Sequence, residues 1–220
     1  MAPITDLLRD RLDVRPINLL GHGGRPVPDR YTVAEFADDI VAWLDQSGIR
    51  RAHLFGYSFG AYLAIYMARH HPQRVRSAAT LAAKYVYDER AVRHLTFLTS
   101  PTRLARPGNK RPGEMKRDHF PQDWVRITSN NRTLFGELGK QPALTEEDIR
   151  AIDRPVLVMS GDADPLVPIE ESRALTSLLP RWRLGIFAGP AHPLPLTPLP
   201  AIADTLVQFI AEVEGQPATG

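Results

Sequence analysis

Residues 51–71 read Arg51-Ala-His-Leu-Phe55-Gly56-Tyr57-Ser58-Phe59-Gly60-Ala-Tyr-Leu-Ala-Ile65-Tyr-Met-Ala-Arg-His70-His71, and Pro72 follows. The first five residues are strand-like. From Ala61 onward the chain is rich in Ala, Leu, Ile and Met, a helical composition that Pro72 must end. Between them stands Gly-x-Ser-x-Gly. A strand that turns into a helix over five residues puts the central serine at strained backbone angles. Small residues two positions either side keep the two arms from colliding, so the hydroxyl stands clear of the backbone. The first turn of the helix also presents N–H groups to a developing negative charge. Ser58 is therefore the candidate nucleophile, and the Phe59 N–H the candidate donor to an oxyanion.

Outward from this point the same alternation continues. Upstream, Ile17-Asn-Leu-Leu20 is a short strand candidate. Thr32–Ser47 predicts a helix with Val33, Phe36, Ala37, Ile40, Val41 and Leu44 on one face, Thr32 and Glu35 as a capping box, and Gly48 as its stop. Downstream, Val75–Ala83, Pro155–Ser160 and Arg183–Phe187 read as strands. Glu170–Leu179 and Leu199–Val213 read as helices. Strands alternating with helices predict an α/β fold: a mostly parallel open sheet with helices on both faces. The stretch from Arg90 to Thr145 breaks the rhythm with five prolines, so it is expected to be a partly helical insertion. The expected organisation is a core over 1–89, an inserted lid over 90–145, the rest of the core over 146–214, and a loose tail over 215–220.

The 220 residues include no cysteine, which excludes disulfide frameworks, zinc ribbons, iron–sulfur clusters and a cysteine nucleophile. It also fits a reducing cytoplasm, the expected location. No apolar run approaches the ~18 residues of a membrane span, and the first residues lack a signal-peptide pattern. With 27 basic and 25 acidic residues the net charge is +2, but between Arg90 and Lys140 there are 11 Lys/Arg against 4 Asp/Glu, a local +7. These charges are scattered, without finger spacing or aromatic interleaving, so a nucleic-acid partner is not expected. They read as a solvated surface or, if the insertion closes over Ser58, as a preference for a substrate carboxylate through Arg103, Arg106 or Arg126. Trp124, Phe97 and Phe120 line the same lid or pack within it. Tyr57, Trp124 and Arg126 are taken as substrate-binding candidates. No membrane partner is expected, and the chain is expected to act as a monomer or homodimer.

A serine hydroxyl needs a base at neutral pH. Of seven histidines, His53 lies within a strand, His70 and His71 end a helix, and His94 and His119 fall in the insertion. His22 follows the first strand. His192, in Gly189-Pro-Ala-His192-Pro, lies between the last strand and the last helix, where active sites of open α/β sheets gather. It is the expected base. The carboxylate that orients it is sought after another strand end. Asp162 and Asp164 follow the Pro155–Ser160 strand. Asp162 suits a turn-capping role, and Asp164, further round and before Pro165, is the candidate acid, with Asp88 as the alternative.

The order Ser58, Asp164, His192 and the three motifs that carry it resemble the α/β-hydrolase fold family, in its branch with a lid inserted between strands. The resemblance runs from Ile4 to Val213. Gly56–Gly60 matches the family's nucleophile turn, Ile152–Pro168 its acid-bearing stretch, Ala191-His192 its late Gly-His with alanine in place of glycine, and Gly21-His22-Gly23 its Gly-His-Gly loop. What the resemblance implies is a serine hydrolase cleaving a small carbonyl substrate (ester, thioester or lactone) through an acyl-enzyme, with no metal and no organic cofactor. It also implies a second oxyanion donor on a loop upstream of where this chain starts, with Gly23 and Gly24 as substitutes within it. Lacking that donor, the alternative expectation is a weakly active or inactive ligand-binding protein on the same fold.

Overall fold

The computed structural model describes residues 2–215. In chain order the elements are α1 (Ala2–Leu8), α2 (Val33–Gln46), β1 (Ala52–Tyr57), α3 (Phe59–His70), β2 (Val75–Leu81), α4 (Glu89–Leu98), α5 (Pro101–Leu104), α6 (Arg111–His119), α7 (Trp124–Lys140), α8 (Glu146–Arg150), β3 (Val156–Gly161), α9 (Ile169–Leu178), β4 (Trp182–Phe187) and α10 (Leu199–Gly215). They fall into two units. One comprises Met1–Pro16, Ser47–Tyr85 and Leu144–Gly220, the other Ile17–Gln46 and Val86–Ala143. The expected lid boundaries, 90–145, thus lie close to those of the second unit, which also takes in Ile17–Gln46. Of the expected tail, only Gly215 lies within the described residues.

The first unit is built on four parallel strands in the order β1-β2-β3-β4. Each crossover steps in the same direction, so right-handed connections place α3 and α9 on one face. Side chains alternate across a strand. In register, Ala79 pairs with Leu157 and Leu81 with Met159, and these four share a core with Ile4 and Leu8 of α1 and with Ile202, Leu206 and Phe209 of α10. The alternate positions Ala78, Thr80, Val156 and Val158 are equally buried and point the other way. Helices therefore cover both faces of an open parallel sheet, and all four strand C-termini emerge at one end. The helix α1 is an element that the sequence reading did not anticipate.

The second unit holds α2 and α4–α7. In α2, Val33, Phe36, Ala37, Ile40 and Leu44 are buried, and Thr32 accepts the Glu35 N–H at 3.1 Å. Helices α4 and α7 pack together, with Ile127, Leu134 and Leu138 buried and Tyr87 stacked on Phe135. Residues Ile17–Leu20, expected as a strand, form none. Four residues have little strand character without a partner ladder, and none of the four described strands pairs with them.

Candidate active site

β1 runs into α3 with only Ser58 between them, and Ser58 has φ 54° and ψ −118°. A side-chain-bearing residue at positive φ costs ~1–3 kcal/mol and persists only when its surroundings impose it. Here they do so from both sides. The Ser58 N–H donates to the Leu81 carbonyl of the neighbouring strand at 2.9 Å, and its carbonyl accepts from Ala61 and Tyr62 at 3.0 and 3.2 Å. The two flanking glycines are not equivalent. A Cβ on Gly56 would collide with the Gly60 carbonyl and meet the Ala61 nitrogen at 2.5 Å, whereas one on Gly60 would meet nothing within 4 Å. The strand arm needs its glycine because the helix backbone passes directly over it.

The acid comes from the loop after β3. Asp164 has no exposed side-chain surface. Its Oδ1 accepts the N–H groups of Leu166 and Val167 at 2.8 and 2.9 Å, and its Oδ2 accepts that of Ala191 at 3.0 Å. His192 Nδ1 lies 2.9 Å from Oδ2 and 3.1 Å from Oδ1. Burial pushes the Asp164 carboxyl up, but the hydrogen bonds from His192, Val167 and Leu166 outweigh it and hold the group below the usual carboxylate range. Asp164, not Asp88, is therefore the carboxylate beside His192. Asp88 instead caps α4, accepting the Ala91 N–H at 2.7 Å.

Asp162 accepts the Gly189 N–H at 2.8 Å, so its capping acts across to the loop that carries His192. Gly161, at the end of β3, lets that loop come close: a Cβ there would meet the Ala191 nitrogen at 2.7 Å. A glycine at a strand end just before the acid is a signal the sequence held, although its partner loop lay 28 residues on. His192 is 12% exposed at its side chain. Its Nε2 is buried and has no hydrogen-bond partner among the described residues, Ser58 included. The contact between the Asp164 carboxylate and the His192 ring is thus formed.

Tyr57 lies against His192, with ring centroids 4.9 Å apart. Trp124 and Arg126 belong to the second unit, where Trp124 is the first residue of α7 and Arg126 pairs with Asp29 at 2.8 Å. In the same unit His22 Nδ1 faces the Leu20 carbonyl at 3.0 Å, and the Gly23 N–H donates to His119 Nδ1 at 3.1 Å. The Gly23 N–H, a candidate substitute donor, is thus engaged by His119. His53, as expected of a strand histidine, is taken up by neighbours, Ser77 at 2.8 Å and Glu214 at 2.9 Å. A buried ion pair that sequence reasoning missed follows β2: Lys84 Nζ meets Glu171 at 2.5 Å, and Glu171 also accepts the Tyr85 N–H at 3.0 Å. Among the described residues there is no group of three or more His, Asp or Glu able to hold a metal ion, and no helix is long and apolar enough to cross a membrane.

The chain is similar in sequence and in fold to known hydrolases. The chain is 24% identical over 217 residues to 2-hydroxymuconate semialdehyde hydrolase from Pseudomonas putida, covering 88% of this chain and 74% of that protein. It is 27% identical over 232 residues to pimeloyl-[acyl-carrier protein] methyl ester esterase from Neisseria meningitidis, covering 93% and 70%. A solved esterase from Thermogutta terrifontis superposes with a TM-score of 0.72 at 17% identity over 96% of this chain and 85% of that one, a likeness of fold. The family model described as "Alpha/beta hydrolase family" matches residues 1–205, and the chain belongs to that family.

Proposed function

We propose that the chain is a serine hydrolase that cleaves a small carbonyl substrate of the ester, thioester or lactone class through an acyl-enzyme on Ser58. The observation that carries this reading is the 2.9 Å contact between His192 Nδ1 and the buried Asp164 carboxylate. With Nδ1–H donated to the acid, the neutral imidazole keeps its lone pair on Nε2, the atom a general base must use. Ser58 Oγ attacks the carbonyl carbon as its proton passes to Nε2. The negative charge that gathers on the carbonyl oxygen is met by the Phe59 N–H at the start of α3. Collapse breaks the bond to the leaving group, which takes the proton from His192. Water then repeats the sequence on the acyl-enzyme and releases the acid. The methyl ester named for the Neisseria relative falls in the same substrate class.

Hydrolysis of short-chain p-nitrophenyl esters tests the reading. Saturable turnover by the wild type that drops to background in Ser58→Ala is expected, and turnover that survives in Ser58→Ala overturns it. A second reading, a ligand-binding protein without turnover, is favoured by the partnerless Nε2. It predicts a ligand-induced rise in Tm that is the same in Ser58→Ala, with no hydrolysis by either protein.

A further inference from the structure

We infer that Tyr57 is the positioning residue for His192, in an inference that rests on the reaction proposed above. Asp164 holds the imidazole by one edge, at Nδ1. An edge contact sets the tautomer and the direction of the ring but does not by itself stop the ring from tilting. The Tyr57 ring restricts that freedom, tilted against the imidazole with centroids 4.9 Å and planes 36° apart. The same side chain also fixes the backbone that carries the base, because the Tyr57 hydroxyl donates to the Ala191 carbonyl at 3.1 Å. Asp164 takes the N–H of that residue. The segment entering His192 is thus held through its N–H by the acid and through its carbonyl by Tyr57.

Tyr57 is also the residue bonded directly to Ser58. Its backbone is the last of β1, in register with Leu81, whose carbonyl anchors the Ser58 N–H. One residue therefore links nucleophile and base across a sequence separation of 134. The hydroxyl is suited to act as a permanent donor: burial, together with the nearby Asp164 charge, pushes its pKa up to about 12. The substrate-binding role expected for Tyr57 from sequence differs from this one in a measurable way. A substrate contact moves KM. A support for the base moves kcat, because misplacing a catalytic group by about 1 Å can cost ~10²-fold in rate.

The test compares wild type with Tyr57→Phe, which keeps the ring and removes the hydroxyl, and Tyr57→Leu, which removes both. Steady-state kinetics on one p-nitrophenyl ester are read beside the downfield proton NMR resonance of His192 Nδ1–H, assigned by its loss in His192→Gln. Expected is a fall in kcat of about tenfold in Tyr57→Phe and about 10²-fold in Tyr57→Leu, with KM within about twofold. The resonance should shift in the first variant and broaden in the second. A rise in KM alone with the resonance unmoved overturns the inference, as does wild-type behaviour in both variants. If the wild type shows no turnover, the hydrolase reading fails, but the resonance still decides for or against Tyr57. If Tyr57→Leu does not fold, the shift in Tyr57→Phe decides.

Discussion

Asp164 holds His192 twice, at the ring through Nδ1 at 2.9 Å and at the backbone through the preceding Ala191 N–H at 3.0 Å. Its other oxygen fastens the turn it sits on through Leu166 and Val167. One buried carboxylate therefore both meets the His192 ring and builds the loop contact that presents it. Asp164→Asn keeps the shape and removes the charge. Its amide nitrogen would face donors, and the histidine would be turned toward the wrong tautomer. The expected loss is about 10⁴ in kcat, the scale seen when a triad acid is made neutral, with ester kinetics as the check.

The same carboxylate ties stability to pH. Its folded pKa lies below the ordinary value, so the unfolded chain binds the proton more readily. The stabilisation is complete above about pH 4, the unfolded value, and is lost as pH falls through the lower folded value. Thermal unfolding should show the Tm gap between wild type and Asp164→Asn narrowing as pH is lowered from about 6 to about 3. A gap independent of pH would contradict the assignment.

The strain at Ser58 has its own signature. Glycine adopts positive φ without penalty, so Ser58→Gly should be more stable than Ser58→Ala by about 1 kcal/mol. For a chain of this size that is a Tm difference of roughly 2–4 °C. Both variants should lack ester hydrolysis. Equal Tm values would mean that the turn relaxes once the serine hydroxyl is gone.

The two glycines of the turn should separate cleanly. Gly56→Ala drives a methyl into the Gly60 carbonyl and should destabilise by ~1–3 kcal/mol, the cost of overpacking in a well-packed site. Gly60→Ala has open space and gains helix propensity of up to about 1 kcal/mol. Chemical denaturation of both variants measures the contrast.

Lys84 and Glu171 are 14% and 9% exposed at their side chains. Removing one partner leaves a largely buried charge, so Glu171→Leu should cost about 3 kcal/mol, whereas the double variant Lys84→Met with Glu171→Leu should recover part of it, the Tyr85 N–H having lost its acceptor in both. Denaturation midpoints of the three proteins decide this, and a double variant as unstable as the single would contradict it.

The candidates Ser58, Asp164 and His192 were picked from short segments, and the structure brings the last two together. Gly56–Gly60, Asp164 and His192 each sit where a strand ends, and a strand end is marked locally by an apolar run and a breaker. The sheet could be inferred from the runs Pro155–Ser160 and Val75–Ala83 for the same reason. What the sequence hid was long-range. The contact of Tyr57 with Ala191 spans 134 residues, and that of Lys84 with Glu171 spans 87, so neither leaves a periodic trace. Ile17–Leu20 was misread because apolar composition alone does not supply a neighbouring strand. The helix α1 was missed although Ile4 and Leu8 stand one turn apart and both are buried, since a helix of seven residues takes its stability from the α10 surface it covers.

The central claim is that the Ser58 hydroxyl is activated by His192. Incubation with a fluorophosphonate, followed by mass spectrometry of the peptide that contains residue 58, tests it directly. One adduct per chain on Ser58 is expected in the wild type, none in Ser58→Ala, and labelling in His192→Gln slowed by several orders of magnitude. A wild type that takes no label, or a label that forms on Ser58 as fast in His192→Gln as in the wild type, would contradict it.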